Sequence, residues 1–360
     1  MRATQKLHAL GQSLWLDNIT RDLLTSGTLE RYIDELSITG LTSNPTIFEH
    51  AIKNSTAYDA AIGERLKAGK SGESIFFEIA LEDITAAADL FRPIHQRTSA
   101  VDGWVSLEVS PALAHDTKST VTQAKDLALR AGQPNLFIKI PGTKEGLPAI
   151  EEAIFEGIPV NVTLLFSREQ YLAAAAAYLR GVERRIVAGL DPNVGSVASL
   201  FVSRWDVAVA GKGPASLANT LGIAVAERTY EAYSALLASP RWQRAFNAGA
   251  RPQRLLFAST GTKDPKASDI LYVKGLAAPL TVNTMPESTL NAFADHGEVG
   301  ATIGAAGDCR VVLKAFSRAG VDVAALAAKL QEEGAASFLA SWNELMAVIA
   351  SKSACLGCAA

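Results

Sequence analysis

The 360-residue sequence is poor in cysteine and has no marked excess of charge of either sign. Its three cysteines, Cys309, Cys355 and Cys358, are too few for a disulfide framework in a chain of this length, so we expect a reducing, cytoplasmic location. The formal net charge is −3, and no basic run with interleaved aromatic residues occurs. Because nucleic-acid-binding proteins usually carry a strongly basic face, we expect no nucleic-acid partner.

Long hydrophobic runs are also missing. A membrane-spanning helix needs about 20 consecutive apolar residues. The alanine-rich stretch YLAAAAAYL (171–179) is too short for this, and its side chains are too small. The first residues carry Lys6 and His8 where a signal peptide would have its apolar core. We therefore expect no membrane segment and no signal peptide.

Motifs of several well-known catalytic chemistries are absent. The sequence contains no H-E-x-x-H, no cluster of three histidines, no G-x-S-x-G and no G-x-x-x-x-G-K-[ST]. Metal hydrolysis, serine acyl transfer and P-loop chemistry are therefore poorly supported. CLGC at 355–358 has the spacing of redox or metal-binding cysteine pairs, but no second pair of soft ligands accompanies it. We predict no metal site and interpret residues 346–360 as a partly disordered C-terminal tail.

Short apolar runs alternate with longer amphipathic stretches along residues 1–345. The eight candidate strands are 13–19, 38–44, 103–109, 136–140, 159–165, 197–203, 254–260 and 279–284. Between them, apolar residues recur at spacings of three and four, which indicates helices. Eight strands each followed by a helical segment predict a single α/β domain, a closed (β/α)8 TIM barrel with extra helices. A doubly wound open sheet is the alternative. It usually has a glycine-rich turn after its first strand, where this chain has TRDLL (20–24).

Alternation of side chains divides each predicted strand into an aliphatic face and a second face. In LFIKI (136–140), Lys139 lies opposite an aliphatic set, although strands of a parallel barrel are usually apolar on both faces. The aliphatic face must pack under the helices, so the other faces the barrel axis. In PVNVTLL the outward set is Val160, Val162 and Leu164, and the inward set is Asn161, Thr163 and Leu165. Over five strands the inward polar residues are Asp17, Asn44, Glu108, Lys139, Asn161 and Thr163.

All six polar residues lie in the C-terminal halves of their strands, so they should gather at one mouth of the barrel, where this fold builds its active sites. Each also has an ordinary structural explanation. Lys139 could reach solvent or form a neutral pair with Glu108. Asn44 could be a turn residue, and Asp17 could cap the helix that begins near Thr20. A shared site explains all six together, because polar groups buried without partners are costly.

A lysine inside such a cluster is suited to carbonyl chemistry. Removing water from around an ammonium group disfavours its charged form, and the free amine attacks carbonyl carbons. The resulting iminium is an electron sink for the negative charge that develops when a neighbouring C–C bond breaks. We therefore predict that Lys139 forms a Schiff base with a carbonyl substrate.

Six segments resemble the signature segments of the transaldolase family. They are, in order, LWLDNI, GLTSNPTIF, VSLEVSP, LFIKIPGTKEG, NVTLLFS and SLFVSRWD, and the resemblance runs from about residue 10 to beyond residue 290. The longer bacterial type is the most similar. The resemblance implies a (β/α)8 barrel of the Schiff-base aldolase kind that needs no cofactor. It also implies sugar-phosphate substrates: a dihydroxyacetone unit moves from sedoheptulose 7-phosphate to glyceraldehyde 3-phosphate, in the non-oxidative pentose phosphate pathway.

Besides the Schiff-base lysine, the resemblance implies roles for five other inward residues. Asp17 would take the proton from the C4 hydroxyl of the donor as the C3–C4 bond breaks. Glu108 would shuttle protons through a water molecule held by Thr163. Asn44 and Asn161 would hydrogen-bond the hydroxyls of the dihydroxyacetone unit.

The resemblance also implies a phosphate site. SVASLFVSRWD matches the phosphate-binding segment of the family and nominates Ser199 and Arg204. A salt bridge from Arg204 to Asp206, or to another acidic residue that caps a helix, is the alternative. Many family members have a serine and then a second arginine after the seventh strand. Here Ser259 is in place, but the nearest cation is Lys263, displaced by an apparent insertion, so these two residues are the candidates for the second contact.

Two other functions remain open. Fructose-6-phosphate aldolases, which release free dihydroxyacetone, are shorter and often have a tyrosine in place of the catalytic glutamate, so Glu108 favours transfer. A non-catalytic barrel that only binds sugar phosphates would be expected to lack Asp17, Glu108 or Lys139, and all three are present. The sequence leaves open whether the protein is a monomer or a homodimer.

Overall fold

In the computed structural model, which describes residues 1–213, 215–304 and 308–358, eight parallel strands close into a barrel in sequential order. The strands are β1 (Gln12–Asp17), β2 (Ile38–Thr42), β3 (Trp104–Glu108), β4 (Leu136–Pro141), β5 (Val160–Leu165), β6 (Ser196–Phe201), β7 (Gln253–Ala258) and β8 (Thr281–Met285). Each overlaps its predicted counterpart, and no end differs by more than two residues. Because β8 pairs with β1, the (β/α)8 TIM barrel is confirmed and the open sheet is wrong.

Helices connect the strands, and most of them cover the outside of the barrel. In the described ranges they are α1 (Ala3–Ala9), α2 (Arg21–Thr25), α3 (Thr28–Leu36), α4 (Pro45–Asn54), α5 (Asp59–Lys67), α6 (Gly72–Arg97), α7 (Thr117–Ala131), α8 (Gly146–Phe155), α9 (Arg168–Val187), α10 (Ser203–Ala208), α11 (Leu221–Leu237), α12 (Pro240–Asn247), α13 (Leu271–Gly275), α14 (Glu287–His296), α15 (Cys309–Arg318) and α16 (Val323–Cys358). Not one of these helices combines the length and the apolar character that crossing a bilayer requires.

Large apolar side chains fill the barrel interior on the N-terminal side of the polar residues. Trp104 and Phe137 stack with ring centroids 4.1 Å apart, and the Trp15 ring lies 6.1 Å from Phe137. Gly40 leaves the space that the Trp15 indole needs, since a Cβ there would lie 2.6 Å from the indole ring. This packed layer closes the barrel from below, so polar groups in the C-terminal halves of the strands can face only the opposite mouth.

Strand β5 departs from regular alternation at its C-terminal end. Its pairing with β6 shifts register between Val162 and Leu165, and Leu164 has a left-handed φ of 59°. An extra residue in a strand reverses which side chains face inward beyond it. Leu164 accordingly packs with the apolar residues of the barrel mouth, and Leu165 packs beneath the helices. The predicted facing of these two leucines is therefore wrong, whereas Asn161, before the bulge, and Thr163, at its start, both face inward.

Residues 346–358 form the last turns of α16, where the sequence predicted a partly disordered tail. Ile349 is fully buried, and Lys352 Nζ donates hydrogen bonds to the Ser55 carbonyl at 3.0 Å and to Asp59 Oδ1 at 2.6 Å. Helix α16 packs on α4 and α5, and burial of its apolar residues against them favours the helix over a free chain end. The prediction is corrected for these residues; Ala359 and Ala360 lie outside the described part of the chain.

Candidate active site

Eight of the ten predicted site residues line one cavity at the C-terminal mouth of the barrel. They are Asp17, Asn44, Lys139, Thr163, Ser199, Arg204, Ser259 and Lys263. The other two, Glu108 and Asn161, lie behind the cavity wall and contact it through Lys139 and Ser199. Register explains much of this convergence, since Glu108 pairs with Lys139 and Lys139 pairs with Asn161 across adjacent strands.

Lys139 points into the barrel near the end of β4 and is only 5% exposed. Its Nζ lies 2.9 Å from Glu108 Oε2 and donates a second hydrogen bond to the Ser43 carbonyl at 3.0 Å. The alternative in which this lysine reaches solvent is therefore wrong. The neutral-pair alternative correctly anticipated the contact with Glu108. The same contact would also let the carboxylate exchange a proton with the amine.

Burial raises the pKa of Glu108 above the usual glutamate value, and the Lys139 ammonium opposes this rise. The Glu108 carboxyl uses only one of its two oxygens in this pair. Oε1 is buried and has no hydrogen-bond partner among the described residues, and the same holds for Thr163 Oγ1. Two buried polar atoms without protein partners, in one site, are places where a water molecule or a substrate hydroxyl can bind.

Asp17 lies at the end of β1, surrounded by protein atoms but with part of its surface toward the cavity. Its Oδ1 accepts a hydrogen bond from Thr42 Oγ1 at 2.7 Å, and the Thr42 hydroxyl is also 2.7 Å from that of Thr284. Burial raises the pKa of Asp17, and the Thr42 hydroxyl and three cations oppose the rise. Thr20, through a 3.0 Å bond from the Leu23 amide, caps α2, so the capping alternative for Asp17 is wrong.

The two predicted asparagines are held differently. Asn44 is the N-cap of α4, and its Oδ1 accepts from the Ile47 amide at 3.1 Å, so its structural role is that of a helix cap and not of the turn residue that the sequence suggested. This cap fixes the amide plane while the side chain lines the cavity. Asn161 is fully buried; its Nδ2 donates to Ser106 Oγ at 3.1 Å, and its Oδ1 accepts from Ser199 Oγ at 2.7 Å.

Arg204, in the first turn of α10, has no carboxylate within salt-bridge distance among residues 1–213, 215–304 and 308–358. Its guanidinium carbon lies 5.1 Å from the Phe201 ring centre and 5.8 Å from that of Phe338. The Asp206 carboxylate instead accepts hydrogen bonds from the Leu221 and Gly222 amides at 2.9 and 3.1 Å. The predicted alternative, an Arg204–Asp206 salt bridge, is therefore wrong.

Of the other three candidates for phosphate contact, Ser199 is buried and donates its hydroxyl to Asn161, whereas Ser259 and Lys263 lie on the loop after β7. Ser259 has a left-handed φ of 54°, and its Oγ lies 2.9 Å from Ser203 Oγ at the start of α10. Lys263 is exposed at the rim of the cavity. With Arg204, these residues form an edge of hydroxyl donors and cations of the kind that binds phosphate.

Sequence reasoning missed several residues of this mouth. Thr42 and Thr284 lie on the inward faces of β2 and β8, so strand alternation could have found them. Phe201 lies in the segment SLFVSRWD, but an aromatic residue at that position is equally typical of a hydrophobic core. Phe338 had no local signal, because it belongs to a helix far along the chain from the last strand.

Three side chains that could ligate a metal lie elsewhere, between α11 and α15. Glu227, Glu231 and Cys309 offer ligand atoms within 4.8 Å of one another. Glu231 is already paired with Arg310 at 2.9 Å. This pairing accounts for Glu231 without a metal, and none of the three side chains lines the cavity at the mouth.

A closed parallel barrel with a buried lysine–glutamate pair at its C-terminal mouth, an aspartate beside the pair and an arginine at the rim defines a class of enzyme. It is a (β/α)8 barrel enzyme built for amine-dependent carbonyl chemistry.

Comparison with known proteins gives the family. The Transaldolase/Fructose-6-phosphate aldolase family matches residues 14–349. A transaldolase of Parafrankia sp. (strain EAN1pec) is 45% identical over 353 residues, which cover 95% of this chain and 96% of the relative. A transaldolase of Thermobifida fusca is 46% identical over 358 residues, covering 95% and 96%. Transaldolase 1 of Streptomyces avermitilis is 44% identical over 362 residues, covering 96% and 94%. The chain belongs to the transaldolase/fructose-6-phosphate aldolase family and is an enzyme of the transferase class.

Proposed function

We propose that this enzyme catalyses the transaldolase reaction through a Schiff base on Lys139. It transfers a dihydroxyacetone unit from sedoheptulose 7-phosphate to glyceraldehyde 3-phosphate, which gives erythrose 4-phosphate and fructose 6-phosphate. The observation that carries the proposal is the Lys139 amine, buried at the mouth 2.9 Å from the Glu108 carboxylate. Similarity over nearly the full length to relatives named transaldolase supports it. The enzyme works without a cofactor in the cytoplasm, as a monomer or a homodimer.

Glu108 serves proton transfer during Schiff-base formation. A lysine must lose its proton before its nitrogen can attack the C2 carbonyl of the donor, and Glu108 Oε2 is the adjacent acceptor. The raised pKa of Glu108 suits this exchange, because the carboxylate of a weaker acid takes up a proton more readily. A water molecule between Glu108 Oε1 and Thr163 Oγ1 carries the proton to the departing hydroxyl of the carbinolamine.

Asp17 is the base that starts C–C cleavage. It removes the proton from the C4 hydroxyl, the C3–C4 electron pair moves toward the iminium, and an aldehyde phosphate leaves. The Thr42 hydroxyl orients the carboxylate through its 2.7 Å hydrogen bond. The remaining three-carbon enamine stays attached to Lys139 until an acceptor aldehyde arrives, and the steps then run in reverse.

The amide groups and the rim residues bind the substrate. The Asn44 amide nitrogen donates to a hydroxyl of the three-carbon unit, because its oxygen is held by the α4 cap. Asn161 also binds a hydroxyl of the three-carbon unit, and its own position is fixed by the hydrogen bond from Ser199. Arg204, Ser259 and Lys263 bind the phosphate at the far end of the sugar, where Arg204 supplies the bidentate contact and Lys263 a point charge.

Borohydride trapping tests the central step. Reduction in the presence of sedoheptulose 7-phosphate should attach the three-carbon unit to the peptide that contains Lys139. Lys139→Arg should abolish the adduct and the activity, because a guanidinium cannot act as a neutral nucleophile. Lys144→Arg is the matched control, since Lys144 is an exposed lysine five residues away. An adduct on any other lysine, or none with the parent enzyme, would exclude the mechanism.

A coupled assay separates the three candidate functions. Transfer requires both the seven-carbon donor and glyceraldehyde 3-phosphate. A fructose-6-phosphate aldolase-like enzyme cleaves its donor without an acceptor. A barrel that only binds sugar phosphates turns over neither mixture. We expect sustained product formation only when the acceptor is present.

A further inference from the structure

Helix α16 lies across the mouth of the barrel and is fixed there by polar contacts. Gln331 Nε2 donates hydrogen bonds to two backbone carbonyls at the barrel rim, Gly142 at 3.0 Å and Leu164 at 2.9 Å. One turn further, Gly334 lets the helix approach closely, since a Cβ there would lie 3.0 Å from Leu164 Cδ2. The β5 bulge therefore contacts the helix at two points: the Leu164 carbonyl accepts a hydrogen bond, and the Leu164 side chain packs against the helix backbone.

The same face of α16 continues past the cavity to the outer helices. Thr46 Oγ1, in α4, donates to Ser341 Oγ at 2.8 Å. The Trp342 ring lies 5.0 Å from Phe76 and 5.7 Å from Phe77, both in α6. Contacts on both sides of the mouth hold the intervening turn of the helix over the cavity.

Phe338 occupies that intervening turn and forms part of the cavity wall. It is 5% exposed, and its ring centre lies 5.4 Å from Lys139 Nζ and 5.8 Å from the Arg204 guanidinium carbon. The Phe201 ring is 6.5 Å away. One aromatic side chain, delivered by the last helix, thus contacts both the reacting amine and the phosphate-site cation. Both distances fall within the range of a cation–π contact.

An apolar wall at this position governs what can reach the intermediate. The enamine on Lys139 has two fates. It can attack an acceptor aldehyde through C3, which forms the new C–C bond. Alternatively, C3 takes a proton, water adds to C2 of the resulting iminium, and the C–N bond breaks to release dihydroxyacetone and the free amine. The second path needs a proton donor and a water molecule beyond those that serve the transfer itself.

We infer that Phe338 is a positioning and specificity-determining residue that directs the intermediate toward transfer by keeping bulk water away from the enamine. The inference rests on the proposed function, because it concerns the same Schiff base. A wall that belongs to the strands would be formed with the barrel. This one comes from a separate helix, so the transfer specificity depends on the Phe338 side chain and not on the strands alone.

The test measures the partition between the two fates. With fructose 6-phosphate as donor and erythrose 4-phosphate as acceptor, the rate of dihydroxyacetone release is divided by the rate of sedoheptulose 7-phosphate formation. Phe338→Ala should raise this ratio about tenfold or more, a difference of roughly 1.4 kcal/mol between the two barriers. Phe338→Leu, which restores apolar volume, should return the ratio close to that of the parent enzyme.

Leu345→Ala is the matched control on the same helix. Leu345 is fully buried in the apolar layer outside the mouth, so its truncation loosens α16 packing without opening the cavity wall. The ratio of dihydroxyacetone release to transfer in Leu345→Ala should equal that of the parent. Equal ratios for Phe338→Ala and the parent, with the borohydride adduct still forming, would overturn the inference. A Phe338→Leu variant that releases as much dihydroxyacetone as Phe338→Ala would also overturn it. Absence of the adduct in the parent enzyme would instead refute the proposed function.

Discussion

Glu108 and Asp17 are carboxylic acids that the fold makes weaker than usual. In both, burial is the largest cause of the raised pKa, and nearby cations only reduce the rise. Desolvation of a carboxylate costs free energy unless compensating charges surround it. The protein accepts this cost at the mouth of the barrel, where a carboxylate that is a stronger base than usual is useful for catalysis.

Asp17→Asn should therefore make the protein more stable and less active. The raised pKa in the folded state gives Asp17 a stabilising contribution below the usual aspartate value of 3.8, and this contribution is lost as pH rises through the raised pKa. Asparagine has no proton to lose and can still accept from Thr42. At pH 8 the free energy of unfolding should rise by about 1 kcal/mol, while kcat falls by about 10²–10⁴.

Urea unfolding at pH 8 and near pH 5, with the parent measured alongside, checks this prediction. The advantage of the variant should shrink at the lower pH, where the parent carboxyl is more fully protonated. A variant less stable than the parent at pH 8 would mean that the cations around Asp17 outweigh its desolvation.

Lys263→Gln should change both binding and the pH profile. The Lys263 cation lowers the pKa of Asp17, so its removal should raise that pKa and move the acid limb of kcat/KM to higher pH. Loss of an exposed cation at the phosphate site should raise KM about two- to fivefold, the effect of about 0.5–1 kcal/mol. Lys266→Gln is the control, because Lys266 is an exposed lysine on the same loop that does not line the cavity. Identical profiles for both variants would contradict the role of Lys263.

The ends of individual helices and strands position the site residues. Asn44 is the N-cap of α4 and also part of the cavity wall, so one side chain both begins a helix and lines the cavity. The bulge in β5 has a similar double effect, since it turns Leu164 toward the mouth and offers its carbonyl to α16. In each case a local departure from regular structure aims a group at the cavity.

Substitutions of Asn44 can separate the cap from the binding contact. Asn44→Ser keeps an oxygen for the Ile47 amide but has no amide donor, whereas Asn44→Ala loses both. The Ala variant should lose about 1 kcal/mol of unfolding free energy and the Ser variant much less. Both should lower kcat/KM by about three- to tenfold, as expected for one lost hydrogen bond.

A second cap gives the control for this pair of variants. Ser239 caps α12 through the Trp242 amide, in the segment that leads into the N-terminal end of β7. Ser239→Ala should cost similar stability and leave kcat/KM unchanged. Full activity in Asn44→Ser would show that the Asn44 amide does not bind substrate.

At the scale of the whole molecule, α16 joins parts of the barrel that are far apart in sequence. It contacts the rim at Gly142 and Leu164, forms part of the cavity with Phe338 and reaches α4 and α5 near its end. The chain thus closes its own active site with its last helix. Stability and catalysis should both depend on this segment.

Two truncations test how much the end of α16 contributes to stability. Removal of residues 346–360 deletes fully buried Ile349 and the Lys352–Asp59 ion pair, and should lower the unfolding free energy by about 3 kcal/mol or more. Removal of residues 353–360 keeps both and should cost less than about 1 kcal/mol. Denaturant midpoints measure the difference. Equal midpoints for both truncations would support the tail that the sequence suggested.

Much of this molecule could be predicted because its signals are local. Strand alternation alone turned Lys139, Glu108 and Asp17 toward the axis, and the βα order required a parallel sheet. Prediction was wrong for Leu164 and Leu165, because a single inserted residue reverses the alternation without changing the apolar pattern. It was also wrong for residues 346–358, because glycine, serine and cysteine near a chain end resemble a tail unless the packing partner is known.

The sequence by itself determined the barrel, the mouth at which its polar residues gather and the type of chemistry that an inward lysine allows, because a strand period of two and a helix period of 3.6 act over a few neighbouring residues. Only the tertiary structure decided which partner each polar atom has. It shows that Lys139 hydrogen-bonds Glu108 and Ser43, that Arg204 forms no salt bridge with Asp206, and that the Phe338 ring lies over the Lys139 amine. These contacts bring together residues up to about 200 positions apart in sequence, and the pairing follows from barrel closure and the path of the last helix rather than from any local pattern.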